Sequence, residues 1–195
     1  MIPRPETEHL IVAAIESGQK LGRSPLRIVD VGTGSGCIAV TLAKQIPSSE
    51  IIGLDISADA IRVAQSNLEL HQVQQQVTLI ESDLFAALPA GFQPDIIVSN
   101  PPYVGRNEVG TLDENVKSFE PDLALFGGDE GTEIIERLIE QAASRLDTGG
   151  FLIFEFSPMI AGKCKSLVEE QGGFESVDLQ KDYSGHERLI VAKRG

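Results

Sequence analysis

The stretch L-R-I-V-D-V-G-T-G-S-G, Leu26 to Gly36, is an apolar run that breaks into alternating glycines. Leu26 to Val31 reads as a buried strand. The glycines at 32, 34 and 36 let the backbone turn sharply and let a ligand approach closely. Residues 35–46 then carry apolar positions at helical spacing. A dinucleotide-binding fingerprint would need its third glycine three positions after the second, and that position is Cys37. The loop also lacks the lysine of a P-loop. Any ligand held here therefore presents no phosphate to the loop; a tight strand-to-helix turn without a ligand is the plainer alternative.

Working outward, short apolar runs alternate with helical patterns. Strands are expected at Ile51–Asp55, Val77–Glu81, Asp95–Ser99 and Gly150–Phe156, with two more at 174–180 and 187–193. Ser57 can cap a helix running to about Leu70 with Ile61, Ala64 and Leu68 inward. Further helices are expected from about Gly131 to Leu146 and near 160–171. A helical pattern before Leu26, with Leu10, Ile11, Ala14 and Ile15, would pack on the sheet. Such alternation argues for an α/β fold: a mostly parallel sheet with helices on both faces. Ligands of such sheets bind outside the carboxyl ends of the strands. The segment 100–128 has few periodic signals and is expected to be mobile, because a long loop next to a site often acts as a gate.

Composition narrows the function classes. A chain of 195 residues fits one domain, 1–195. It has no apolar stretch of membrane-spanning length and no signal peptide, so no membrane role is expected. Cys37 and Cys164 are far apart, and His9, His71 and His186 are scattered. Two reduced thiols in a cytoplasmic protein, and no metal site, are expected. The formal net charge of −13 argues against direct binding of nucleic acid, which is held largely by Lys and Arg on phosphates.

Three acids stand at strand ends. Asp55 can accept hydrogen bonds from both hydroxyls of a ribose. Asp83 can accept from an adenine amino group, with Leu84 and Phe85 as an apolar wall beside the ring. Asp30 can fix the glycine loop from behind or meet an amino group through water. Together they describe a nucleoside cofactor without a phosphate at the loop, and S-adenosyl-L-methionine is such a molecule.

After the fourth strand comes S-N-P-P-Y, Ser99 to Tyr103. Proline cannot donate to a strand ladder and fixes its own φ, so the strand ends in a rigid corner. An amide or exocyclic amino nitrogen is a poor nucleophile because its lone pair is delocalised. The Asn100 side-chain oxygen and the Pro101 carbonyl could accept its two N–H bonds, hold it in line with a methyl donor and stabilise the positive charge developing on it. Pro102 helps keep the corner from relaxing, and Tyr103 supplies a flat surface for a planar group.

D-x-G-x-G-x-G, an acid closing the second strand and N-P-P-Y closing the fourth resemble a class I S-adenosylmethionine-dependent methyltransferase. More specifically, I-P-R-P-E-T-E (Ile2–Glu8), F-E-P-D-L-A-L (Phe119–Leu125) followed by Gly127-Gly128, and K-D-Y-S-G-H-E-R (Lys181–Arg188) resemble the HemK/PrmC family, the release-factor glutamine N5-methyltransferases. The resemblance runs through essentially the whole chain. It implies a Rossmann-like seven-stranded sheet with an antiparallel last strand. It implies peptide-chain release factors as protein substrate, methylated on the glutamine of Gly-Gly-Gln, with S-adenosyl-L-homocysteine as coproduct. Cofactor contacts would fall on Asp30, Gly32, Thr33, Gly34, Ser35, Gly36, Asp55, Ile56, Asp83, Leu84 and Asn100. Arg4 and Glu6 would lie near the mouth of the site, and Asn100 to Tyr103 would hold the glutamine amide. The chain would correspond to the catalytic domain, without the helical N-terminal domain of the family's bacterial members. It departs from the family pattern at Glu155-Phe-Ser-Pro158, where glutamate, an aliphatic residue and glycine are usual, and at Leu84, often aromatic in relatives. Two other readings have the same site chemistry or fold: an adenine or guanine amino methyltransferase acting on nucleic acid, and a non-catalytic binding module.

Overall fold

A computed structural model of the chain describes residues 7–105 and 125–195. The helix α1 (Thr7–Leu21) is followed by β1 (Leu26–Val31), α2 (Cys37–Gln45), β2 (Ser49–Asp55), α3 (Ala58–His71), β3 (Val77–Glu81) and β4 (Ile96–Ser99). Two short strands, β5 (Val104–Gly105) and β6 (Phe126–Gly128), precede α4 (Glu133–Arg145) and β7 (Phe151–Glu155). The chain then runs through α5 (Ala161–Gln171) into β8 (Phe174–Lys181) and β9 (Glu187–Arg194).

Seven strands form one sheet in the order β3-β2-β1-β4-β7-β9-β8. All pairings are parallel except those of β9, which runs antiparallel to both β7 and β8. The last strand is thus the reversed one, as the resemblance implies. Successive strand residues alternate between two apolar clusters, one on each face. Ile28, Ile51, Ile96 and Ile153 pack with Leu10, Ala14, Leu42 and Leu68 of α1, α2 and α3. Their neighbours Val29, Ile52, Ile97 and Leu152 pack with Ile135, Leu138, Cys164 and Val168 of α4 and α5. With both faces covered, the central strands β1, β4 and β7 are apolar at most positions, which is why they read as continuous runs. Each fully buried Leu or Ile contributes about 1.5–3 kcal/mol relative to exposure.

Element boundaries follow local chemistry. Ser57 caps α3 by accepting from the Ala60 amide at 3.3 Å, and Ala64 and Leu68 face inward, while Ile61 is half-buried. β2 begins two residues before the expected Ile51, where Ser49 and Glu50 pair with Leu26 and Arg27 of β1. Polar residues at a strand start carry no apolar signal, but the ladder includes them. β5 and β6 pair in parallel beside the corner after β4; two- and three-residue strands leave no periodicity to read. Arg4, Glu6 and the segment 106–124, including most of the F-E-P-D-L-A-L motif and of the expected gate, lie outside the described residues. No described helix is long and apolar enough to cross a membrane.

Candidate active site

The chain climbs β1, turns outward through α2 to β2 and β3, then returns to β4 on the other side of β1. The strand order reverses between β1 and β4, and a crevice opens at their carboxyl ends. Register lines up the residues there: Val31 pairs with Ser99, and Ser99 with Phe154. The next residues, Gly32, Asn100 and Glu155, therefore start from one row on the carboxyl edge. Ser99 ties the row by donating from its hydroxyl to the Val31 carbonyl at 2.7 Å.

The glycine loop is held by backbone contacts. The Gly32 and Thr33 amides both donate to the Leu54 carbonyl, at 2.8 and 2.9 Å. The Ser35 carbonyl accepts from Asn67 Nδ2 at 2.8 Å. Gly32, Gly34 and Gly36 all adopt left-handed φ. At Gly36 this coincides with close packing: a Cβ there would lie 3.1 Å from the Ala64 Cβ of α3. This glycine brings α3 against the loop.

Two carboxylates organise the loop from below. Asp30 is wholly buried, and Thr33 Oγ1 donates to its Oδ2 at 2.6 Å. Its Oδ1 has no hydrogen-bond partner among the described residues. Burial pushes the Asp30 carboxyl up to about 7; the Thr33 hydroxyl and Ala39 amide act the other way, and the Asp55 charge adds to the rise. Asp55, closing β2, accepts from the Gly34 amide through Oδ2 at 2.8 Å and from the Ser57 amide through Oδ1 at 2.9 Å. Each oxygen keeps further lone-pair capacity, so the carboxylate is oriented and can still accept from a diol. Ile56 beside it is a large apolar side chain left 54% exposed at the crevice edge.

Beyond β3, Ser82 organises a turn, donating to the Leu84 carbonyl at 2.8 Å and accepting from the Ala87 amide at 2.9 Å. Leu84 sits at φ 47°, a left-handed conformation costly for a residue with a Cβ. Phe85 corrects the sequence reading: it is fully buried in the core and forms no wall beside a ligand. Asp83 is half-exposed and paired with Arg137 of α4 at 2.7 Å, a partner 54 positions away that no local pattern marks. That bond uses Oδ2.

The Asn-Pro-Pro-Tyr corner follows β4. Pro101 is buried; Asn100, Pro102 and Tyr103 are half-buried, with Tyr103 packed against the core cluster under α4 and α5. The first of the paired glycines downstream finds its reason here. A Cβ on Gly127 would lie 2.5 Å from the Pro102 carbonyl oxygen. Only a glycine lets the β6 segment lie directly on the backbone of the corner. Asn100 Nδ2 donates to Thr7 Oγ1 at 3.4 Å, and Thr7 Oγ1 donates to Glu155 Oε2 at 3.4 Å. Sequence reading gave Thr7 no role and noted Glu155 only for the turn that follows it.

The structure thus brings Asp30, the 32–36 loop, Asp55, Ile56 and Asn100 to one crevice, with Asp83 and Leu84 on the adjoining turn after β3. Among the described residues no cluster of His, Cys, Asp and Glu is placed to hold a metal ion. The donor set suits S-adenosylmethionine: loop backbone and a buried carboxylate for its amino-acid end, Asp55 for a ribose, an apolar edge for a base.

Comparison with known proteins agrees. The methyltransferase small domain family matches residues 11–116. The release factor glutamine methyltransferase of Rhodopirellula baltica is 45% identical over 196 residues, covering all of this chain and 66% of that protein. That of Koribacter versatilis is 42% identical over 194 residues, covering all of this chain and 67% of that protein. The chain spans about two thirds of the length of these curated relatives. Among solved structures, a T. thermophilus 16S rRNA methyltransferase in complex with AdoMet and guanosine superposes with a TM-score of 0.73 at 23% identity, over 100% of this chain and 44% of that one. A methyltransferase from Pyrococcus furiosus gives 0.66 at 17% identity, over 94% and 82%. These two share the fold, that of class I S-adenosylmethionine-dependent methyltransferases. Identity along its whole length, at more than two residues in five, places the chain in the release factor glutamine methyltransferase family.

Proposed function

We propose that residues 1–195 are a catalytic unit that methylates the side-chain amide nitrogen (N5) of the Gly-Gly-Gln glutamine in peptide-chain release factors, in the cytoplasm. The observation that carries this reading is the Asn100–Tyr103 corner beside the glycine loop and Asp55, in a chain of this family. When bound, S-adenosylmethionine supplies an electrophilic methyl group and leaves as S-adenosylhomocysteine. Asp55 would orient the ribose, Ile56 and Leu84 would contact the base, Asp83 would accept from its amino group, and the 32–36 loop, with Thr33 fixed from behind by Asp30, would hold the amino-acid end.

The substrate problem is one of nucleophilicity. A carboxamide nitrogen shares its lone pair with the carbonyl and is far too weak an acid for an ordinary side chain to deprotonate. Asn100 Oδ1 and the Pro101 carbonyl accept its two N–H bonds instead. This turns the lone pair toward the methyl group and offsets the positive charge as the new C–N bond forms. The proton lost afterwards passes to solvent water from a nitrogen already acidified by that charge, so no strong base is required. Tyr103 packs against the planar amide.

The test offers the protein labelled cofactor with an intact release factor, the same factor with its Gly-Gly-Gln glutamine changed to alanine, duplex DNA and ribosomal RNA. Label should enter only the unaltered factor. Label in nucleic acid would replace this reading with that of an amino methyltransferase. Cofactor binding with no transfer to the factor would contradict catalysis by this unit.

A further inference from the structure

Asn100 has two faces that differ only in an oxygen and an NH2 group, and the role proposed above requires the oxygen to face the substrate. The corner alone does not choose between them. The hydrogen bonds behind it do. Glu155 closes β7 and is 2% exposed, and it lies at the N-terminal end of α1, where the helix dipole favours a negative charge. As a carboxylate it can only accept. Thr7 has one hydroxyl hydrogen, and it is directed at Glu155 Oε2. Its oxygen can then only accept from Asn100, so Asn100 must present Nδ2 to it. Oδ1 is left on the opposite face, where it accepts no hydrogen bond from the described residues.

We infer that Thr7 and Glu155 are positioning residues that fix the amide of Asn100 with its oxygen toward the substrate. The inference rests on the reading of Asn100 given above and adds the source of its orientation. The three residues come from different parts of the chain: the start of α1, the end of β4 and the end of β7. The sheet register sets Asn100 and Glu155 on adjacent strands, and α1 packs across them through Leu10 and Ala14. The single-acceptor logic also makes a distinction that bulk or polarity would not. Serine at position 7 keeps one donor and one acceptor; valine keeps the shape and loses both. Glutamine at 155 keeps the shape but gains a donor, so Thr7 can turn its hydrogen toward Asn100 and let the amide reverse.

The experiment compares wild type, Thr7→Ser, Thr7→Val and Glu155→Gln by two readouts. The first needs no substrate: the Asn100 side-chain NH2 resonances, assigned by their loss in Asn100→Ala. Their hydrogen-bonded shift and slow exchange should persist in Thr7→Ser and disappear in Thr7→Val and Glu155→Gln. The second is methyl transfer, in which kcat should fall about tenfold in Thr7→Val and Glu155→Gln. Thr7→Ser should stay close to wild type, and the KM for S-adenosylmethionine should be unchanged throughout. Resonances unaffected by Thr7→Val, or a Thr7→Val kcat within twofold of wild type, would overturn the inference. Thr7→Ser as impaired as Thr7→Val would also overturn it, since shape rather than hydrogen bonding would then be at work. Resonances that respond as expected in a protein that transfers no methyl group to release factors would uphold the relay and refute the substrate.

Discussion

The Gly34 amide donates to Asp55 Oδ2 across 2.8 Å, joining the loop after β1 to the carboxylate that ends β2. One residue thus orients the loop and keeps lone pairs for a ribose. Asp55→Ala should lose both effects. Hydrogen bonds to charged groups are worth about 1.5–3 kcal/mol, so cofactor affinity should fall by at least about tenfold in titration calorimetry. Asp55→Asn, which keeps one acceptor, should fall less. Equal affinity in wild type and Asp55→Ala would remove Asp55 from the cofactor site.

Gly127 rests on the corner it does not belong to. Its missing Cβ leaves room for the Pro102 carbonyl, which would otherwise be 2.5 Å away. Gly127→Ala must push β6 or the corner aside. The expected result is a large loss of turnover, ten-fold or more on the order of what small misplacements cost, with cofactor affinity retained, because the glycine loop and Asp55 are elsewhere. Loss of cofactor binding in parallel with turnover would mean that the damage is general.

Asp30 makes stability depend on pH. Its carboxyl is raised from an ordinary 3.8 to about 7, chiefly by burial. Between those values the folded protein holds a proton that the unfolded chain has released. The Asp30 contribution is therefore most favourable below about pH 4, declines as pH rises toward 7, and is flat above. Relative to Asp30→Asn, whose side chain does not titrate, wild type should lose a few kcal/mol across that window. Denaturant melts of both proteins from pH 4.5 to 8 would show it; a stability difference independent of pH would mean that Asp30 is ionised throughout.

Much of this was legible in the sequence because its signals are local. The run Leu26–Val31 and the glycines after it mark strand and turn within eleven residues, and Ser57 announces α3 by its own hydroxyl. Asp55 and Asn100 were found because each ends an apolar run. What escaped depends on residues far apart in the chain. Arg137 reaches Asp83 only because α4 packs beside the turn after β3. Thr7 meets Asn100 across 93 positions. Phe85 reads as a wall of the site because, with Leu84, it follows Asp83 directly; the left-handed turn at Leu84 sends it into the core. The purpose of Gly127 lies in a backbone oxygen of Pro102, which no pattern of side chains reveals.

The central claim is that the Asn100 corner presents a glutamine amide for methylation. Peptide mass spectrometry of a release factor after incubation with the protein and S-adenosylmethionine tests it most directly, with Asn100→Ala alongside. The account predicts a single added methyl group on the glutamine of Gly-Gly-Gln with wild type. With Asn100→Ala it predicts almost none, although that variant still binds cofactor. A methyl group on any other residue, or full methylation by Asn100→Ala, would contradict it.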